Sequence, residues 1–455
     1  MSSLLRLLYL LIFLIALWLT GCDSTADRPI EVEFWAMGQE GEQVKALLPE
    51  FERRHPDIRV RVQQIPWSAA HEKLLTAYAG DAMPDLFQLG NTWIPEFVAL
   101  RAIEPLDRRL KAWPDTALAD YFPGILATNR LDDQIWALPW YVDTRLFFYR
   151  TDLLSDVGFT EPPTTWDDWL QVMSRLKTSG AAERYAILLP INEWQLPVIL
   201  ALQHGATLLR DRNRYGNFQD PRFRMAFTFY LRFFEQDLAP PASNSQMTNL
   251  YQNFANGAFA VYVSGPWNIG EFGRRLPTAM QSKWMTAALP EFADFSLHSR
   301  AGEGSEVRVG ASLAGGASLA LSRTSPSRDA AWKLLEYLVQ PKQQTQFYRL
   351  TGDLPARQSA WHDPVLSGNR YAQAFREQLQ NVQATPPIPE WERIANRIAY
   401  YAEQVVRQQM GVDEALAALD RDTDWILEKR RWLLERERRR SPSVSPPLTG
   451  EGREQ

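Results

Sequence analysis

Aromatic rings recur beside hydrogen-bonding side chains in this sequence. Trp35 precedes Gln39 and Glu40, Asn91 stands two before Trp93, Trp140 precedes Asp143, and Trp267 follows Gly265-Pro266. Each ring offers a flat apolar face, and the neighbouring amides and carboxylates offer donors and acceptors. That combination suits a pyranose, whose C–H face lies on a ring and whose hydroxyls need paired polar groups. Gly315-Gly316 precedes an apolar run and would let backbone amides approach a ligand closely. Every position has a competing reading. Trp35 can end a core strand, and Trp93 and Trp140 can pack at a junction. Glu40 can be a first-turn helix carboxylate, Asn91 a helix cap and the glycine pair a plain turn. Trp166 and Trp169 share one helix and read as core.

The motifs of catalysis are mostly missing. "VSGPW" is not a nucleophile elbow, "GASLAG" lacks the second glycine at the right place, and "HEKLL" at His71 lacks the second histidine of a zinc helix. "GEGSEV" near Gly302 has no lysine and no helix after it, so it reads as a surface loop. Five histidines do not suggest a metal site, and no cofactor is called for. One enzyme class stays open. Glu40, Asp143 and Glu271 could converge as the acid and base of a lipid-anchored glycoside hydrolase. A structural lipoprotein without a small ligand is the third class.

The only cysteine is Cys22. One thiol excludes an internal disulfide and a multi-cysteine zinc site. It follows the apolar run Leu4 to Leu19, which reads as an export signal over residues 1–21. Leu19-Thr20-Gly21-Cys22 resembles a bacterial lipobox, which implies cleavage before Cys22 and lipidation of its thiol. Asp23 resembles an inner-membrane retention signal. The formal net charge is −5, with 49 basic and 54 acidic residues mixed along the chain, so no nucleic-acid surface is indicated. Seventeen tryptophans exceed ordinary usage and favour ring stacking as well as packing.

The elements that must position these residues follow from periodicity. "IEVEFW", "DIRVRVQQI" and "PDLFQLG" read as strands, separated by helices over "GEQVKALLPEFERRHP" and "AAHEKLLTAYAG". Such a β-α-β-α-β order predicts a parallel sheet with its ligand side at the strands' carboxyl ends: Trp35 to Glu40, Ile65 to Trp67 and Gly90 to Trp93. A second α/β block follows, with strands "TRLFFYR", "YAILLP" and "GAFAVYVS" and a helix from Trp166 capped by Thr165. "GGASLALS" is a further strand, and "SPSRDAAWKLLEYLV" a capped helix with proline at its start. Residues 389–438 read as helical and end in the basic "KRRWLLERERRR". Its ordinary reading is a solvated helix end; the functional one is contact with anionic lipid or an acidic partner face. Residues 439–455 should be disordered.

With the lipobox ahead of them, the stretch Trp35 to Leu106, "GFTEPPTTWDDW", "FANGAFAVYVSGPW" and the "GGASLALS" region resemble the extracellular solute-binding proteins of bacterial carbohydrate ABC importers. The resemblance spans about Ile30 to Leu427. It implies an α/β fold of two lobes joined by hinge strands, with a sugar in the cleft between them. It also implies that Trp267, in the "GPW" turn, stacks on the ligand, and that Arg357, in "GDLPAR", reaches the cleft. One lobe is expected to take residues 29–139 and 290–345, the other 140–289 and 346–435. The expected partners are a carbohydrate, the ABC permease with its ATPase, and the membrane through the lipid on Cys22. The chain is expected to be a monomer, in the periplasm, anchored to the inner membrane.

Overall fold

The computed structural model describes residues 29–180, 183–292 and 309–440. Cys22, the apolar run before it, the loop near Gly302 and the tail from Ser441 lie outside these residues.

Strand β1 (Ile30–Met37) alternates its side chains and buries Val32, Phe34 and Ala36 on one face. It leads into helix α1 (Gly38–Gln43), a 3₁₀ turn (Val44–Leu47) and a helix (Leu48–Arg54). The single helix expected here is broken because Pro49 has no N–H for the carbonyl of Lys45, which accepts from Leu48 instead. Val44, Leu47, Leu48 and Phe51 still share the buried face. β2 (Ile58–Ile65) runs parallel to β1, registered from Ile30↔Ile58 to Met37↔Ile65. Helix α2 (Trp67–Ala79) returns the chain to β3 (Leu86–Gly90), buried throughout.

β4 (Leu138–Asp143) lies in the same sheet, and two residues later β5 (Leu146–Arg150) opens a second one. Helix α3 (Trp166–Ser179) starts at Thr165, whose Oγ1 accepts from the Asp168 amide at 3.2 Å as expected. Then come β6 (Tyr185–Leu188), α4 (Gln195–Gln203), α5 (Pro221–Glu235), β7 (Phe259–Ser264), α6 (Trp267–Arg275) and β8 (Trp284–Ala287). The second sheet has the order β8-β5-β7-β6.

β9 (Gly315–Leu321) re-enters the first sheet between β4 and β3, antiparallel to both. Helix α7 (Arg328–Leu338) covers that sheet, with Pro326 outside the helix and no side-chain cap from Ser327. The Ser327 amide instead bonds the Ser325 hydroxyl at 3.0 Å, so the expected capping is displaced upstream. Helix α8 (Pro341–Thr351) also packs on the first sheet, through Phe347, and β10 (Leu354–Pro355) pairs with β4. The expected switch of lobe at residue 345 thus falls inside a helix of the first lobe. The first sheet has the order β10-β4-β9-β3-β1-β2. Helices α9 (Trp391–Val406), α10 (Val412–Ile426) and α11 (Glu428–Arg440) close the second lobe, where Trp391, Ile394 and Leu419 join the core that holds Trp169. The chain therefore passes between the sheets at residues 143–146, between β8 and β9, and after β10.

Candidate functional site

A cavity of about 650 Å³ opens where these passages converge. The carboxyl ends of the parallel strands supply one wall. Gln39 and Glu40 follow β1, Trp67 follows β2, and Asn91 and Trp93 follow β3. The crossing strands supply the floor: Tyr141, Asp143, Arg145, Gly315, Gly316 and Asp353. The second lobe supplies the opposite wall, with Trp194, Tyr251, Trp267 and Glu392.

Of the residues singled out in the sequence, Gln39, Glu40, Asn91, Trp93, Asp143, Trp267, Gly315 and Gly316 are brought together here. Three are not. Trp140 is fully buried in the first lobe, stacked on Phe347 at 4.3 Å and edge-on to Phe34 at 5.9 Å. Trp35 points into the core around Ile65 and Leu74 on the other face of that sheet, with Lys73 Nζ 4.9 Å from its ring. Both faces of a parallel sheet are covered, so neither side of β1 was open to a ligand. Arg357 donates to Asp120 at 2.8 Å and lies over Tyr121 at 4.6 Å, fastening two loops outside the cavity. None of these three lines the cavity.

Gly316 serves the backbone first. Its φ is +126°, and a Cβ there would meet the Tyr141 carbonyl at 2.3 Å. The glycine pair lets β9 approach β4 closely at the cavity floor.

A buried hydrogen-bond relay fixes the polar wall. Gln88 Oε1 accepts from the Met37 amide at 2.8 Å, and Gln88 Nε2 donates to the Tyr141 hydroxyl at 2.9 Å. Tyr141 donates to Glu40 Oε1 at 2.9 Å, and Trp67 Nε1 donates to the same oxygen at 3.2 Å. Burial pushes the Glu40 carboxyl above its ordinary range, and these donors offset part of that rise. Asp353, only 4 % exposed, has an Oδ2 without a partner among the described residues. Burial and then the charge of Glu40 push its carboxyl well up. Asp143 is raised by burial, with Arg145 opposing, and its Oδ1 is also unpartnered. Asn91 accepts from Ser318 at 2.7 Å and leaves Nδ2 unpaired. Buried polar atoms left without a partner around a cavity are donors and acceptors that a polar ligand can meet.

The aromatic surfaces lie on both walls, with Trp67 and Trp93 beside the polar groups and Trp267 on the second lobe. Trp67 and Trp93 meet edge to face at 5.9 Å, and the Arg145 guanidinium lies 4.7 Å from the Trp267 ring centroid. Thr92 of the first lobe hydrogen-bonds Glu392 of α9, joining the two walls. Sequence reasoning missed Arg145, Asp353 and Glu392; Trp67 ended the stretch Ile65 to Trp67 already placed on the ligand side, and Tyr141 stood next to the candidate Trp140. The three missed residues arrive only through the crossings. Among the described residues no group of histidine, cysteine and carboxylate side chains could hold a metal. None of their helices is long and apolar enough to cross a membrane.

The profile of the bacterial extracellular solute-binding proteins matches residues 36–345. The solved sugar-binding protein MalE from the phytopathogen Xanthomonas citri is 45% identical, with a TM-score of 0.82, over 89% of this chain and 99% of that one. The diacetylchitobiose binding protein DasA of Streptomyces coelicolor is 25% identical over 402 residues, 87% of this chain and 89% of DasA. The GacH receptor of Streptomyces glaucescens, 21% identical with a TM-score of 0.75 over 88% of this chain and 99% of GacH, shares the fold.

Proposed function

The chain belongs to the bacterial extracellular solute-binding protein family, and from that premise we propose that it is the carbohydrate receptor of an ABC importer. The observation that carries this reading is the cavity between the lobes, where tryptophan faces from both walls stand around unpartnered buried carboxyl and amide groups. The sugar rings would lie on Trp267 and on the Trp67–Trp93 pair. Their hydroxyls would bond Glu40, Asp143, Asp353 and Asn91. Gln39, beside Glu40, bonds the Thr351 carbonyl at 3.3 Å and would hold the rim. A ligand touching both walls favours the closed arrangement by its differential contacts, and closure then presents the permease with its docking face. The sugar-binding and diacetylchitobiose-binding relatives support a saccharide ligand.

The lobe limits we propose keep the expected division, moved to the crossings: residues 30–143 with 315–355, and 146–287 with 356–435. Lipidation of Cys22, inner-membrane anchorage and a monomeric state complete the proposal. Tethering would raise the receptor's concentration beside its permease.

The hydrolase alternative finds no support in the comparisons, since the family and its structural relatives are binding proteins. The deciding experiment is a melting-temperature screen against mono- and oligosaccharides, followed by chromatography of the best ligand after prolonged incubation. A saccharide that raises the melting temperature and is recovered intact is the expected result; at 100 times Kd the stabilisation is about 2.7 kcal/mol. No shift across the panel would refute sugar binding, and cleavage products would turn the assignment to an enzyme.

A further inference from the structure

The outer surface of the C-terminal helices carries large exposed rings that the cavity does not use. Tyr400 on α9, Trp425 on α10 and Trp432 on α11 are 45 %, 70 % and 55 % exposed, and Leu433 stands beside them. Helices α10 and α11 meet at a turn at Leu427, whose amide bonds Thr423 and whose carbonyl accepts from Arg431. Helical spacing sets Arg421 one turn before Trp425 on α10, and Lys429 and Arg436 one turn either side of Trp432 on α11, all exposed, so rings and cations alternate in a stripe along the two helices. A guanidinium lies over each exposed ring: Arg397 over Tyr400 at 5.5 Å, Arg393 over Trp425 at 5.7 Å, Arg436 over Trp432 at 5.3 Å. Arg397 pairs with Asp422, but Arg393, Arg421, Lys429 and Arg436 form no ion pair among the described residues. The inner side of α11 is held down, since Arg430 and Arg431 donate to the carbonyls of Asn213 and Arg214. The composition of α11, seven basic against three acidic residues, inverts the sign of a chain whose net charge is −5.

We propose that this stripe rests on an anionic membrane surface. Tryptophan and tyrosine beside arginine and lysine are the side chains of a membrane–water boundary: the rings enter the headgroup layer and the cations meet lipid phosphates. Charge complementarity selects lipid as the occupant, because the cations are interleaved with the rings and form no ion pair among the described residues, while Glu428 and Glu435 flank Trp432 on the side away from Lys429 and Arg436. The contact is independent of the sugar site and of any lipid at Cys22.

The test is co-sedimentation of the full chain with phosphatidylcholine vesicles and with vesicles in which part of that lipid is replaced by phosphatidylglycerol. The N-terminal run, with Arg6, is the same in parent and variants, so the difference between parent and variants on the two kinds of vesicle is the readout. The parent should prefer the anionic vesicles, and added salt should weaken the preference. Combined Arg421→Gln, Lys429→Gln and Arg436→Gln should cut the anionic partition on the order of 100-fold. Arg436→Gln alone should cut it roughly 5-fold. Unchanged melting temperature and saccharide binding establish that each variant is folded. A parent indifferent to anionic lipid, or a folded triple variant that keeps the preference, overturns the proposal; that includes a face that serves a protein partner instead.

Discussion

Replacing Tyr141 by Phe removes one oxygen from the centre of the polar wall. That hydroxyl accepts from Gln88 at 2.9 Å and donates to Glu40 at 2.9 Å. Without it, a buried Gln88 N–H loses its acceptor, at about 1–3 kcal/mol. Glu40 loses a hydrogen bond to a charged group, about 1.5–3 kcal/mol when ionised and about 0.5–1.5 when neutral. The effects overlap, so the expected destabilisation is about 2–4 kcal/mol at neutral pH and about 1–2 near pH 4. The pH sign follows from linkage. Burial raises Glu40 above its ordinary 4.5, so the folded protein keeps a proton that the unfolded chain releases. The group's contribution to stability is therefore fullest below 4.5 and falls as pH rises through the folded pKa. Losing the Tyr141 donor lifts that pKa further, so the penalty of the variant grows with pH. Urea unfolding of parent and variant, followed by circular dichroism at about pH 4 and about pH 8, measures it. A penalty under about 0.5 kcal/mol, or one equal at both pH values, would show that the relay does not hold Glu40.

Trp267→Ala should weaken saccharide binding by about 1–3 kcal/mol in titration calorimetry with the melting temperature little changed; the reverse pattern would make Trp267 a core residue. Trp140→Ala should do the opposite, costing about 3–5 kcal/mol of stability through a cavity beside Phe347 and Phe34; a full-strength loss of sugar affinity without destabilisation would contradict its placement. Cys22→Ser should release the protein from the membrane fraction or block its processing, and a variant processed and retained like the parent would refute lipidation.

How far the sequence could be read depended on whether a feature was local. β1 and β2 alternate apolar and polar residues and β3 is a short, mostly apolar run, and the carboxyl-end rule led to Glu40, Asn91 and Trp93 without knowledge of the rest. Trp35 was misread because ring type does not report which face of a strand a residue takes; in a doubly covered sheet both faces are core. β4 was hidden by Pro139, which argues against a strand. The structure accommodates it at a bulge, where Ala317 and Ser318 face Tyr141 and Pro139 and Trp140 is passed over. Asp353 could not be anticipated, because it reaches the cavity through a pairing between segments remote in the chain.

Another such pairing bears on how the protein is made. β9 fills the gap between β3 and β4, yet about 230 residues separate its end from the end of β3. At bacterial elongation rates of about 5–20 residues per second, the ribosome needs roughly 10–50 s to supply the missing strand. Through that interval the first sheet lacks its middle and has no complete hydrophobic face on which to close. A nascent chain in that condition stays loose, which is the state in which a polypeptide can be threaded across a membrane before it folds.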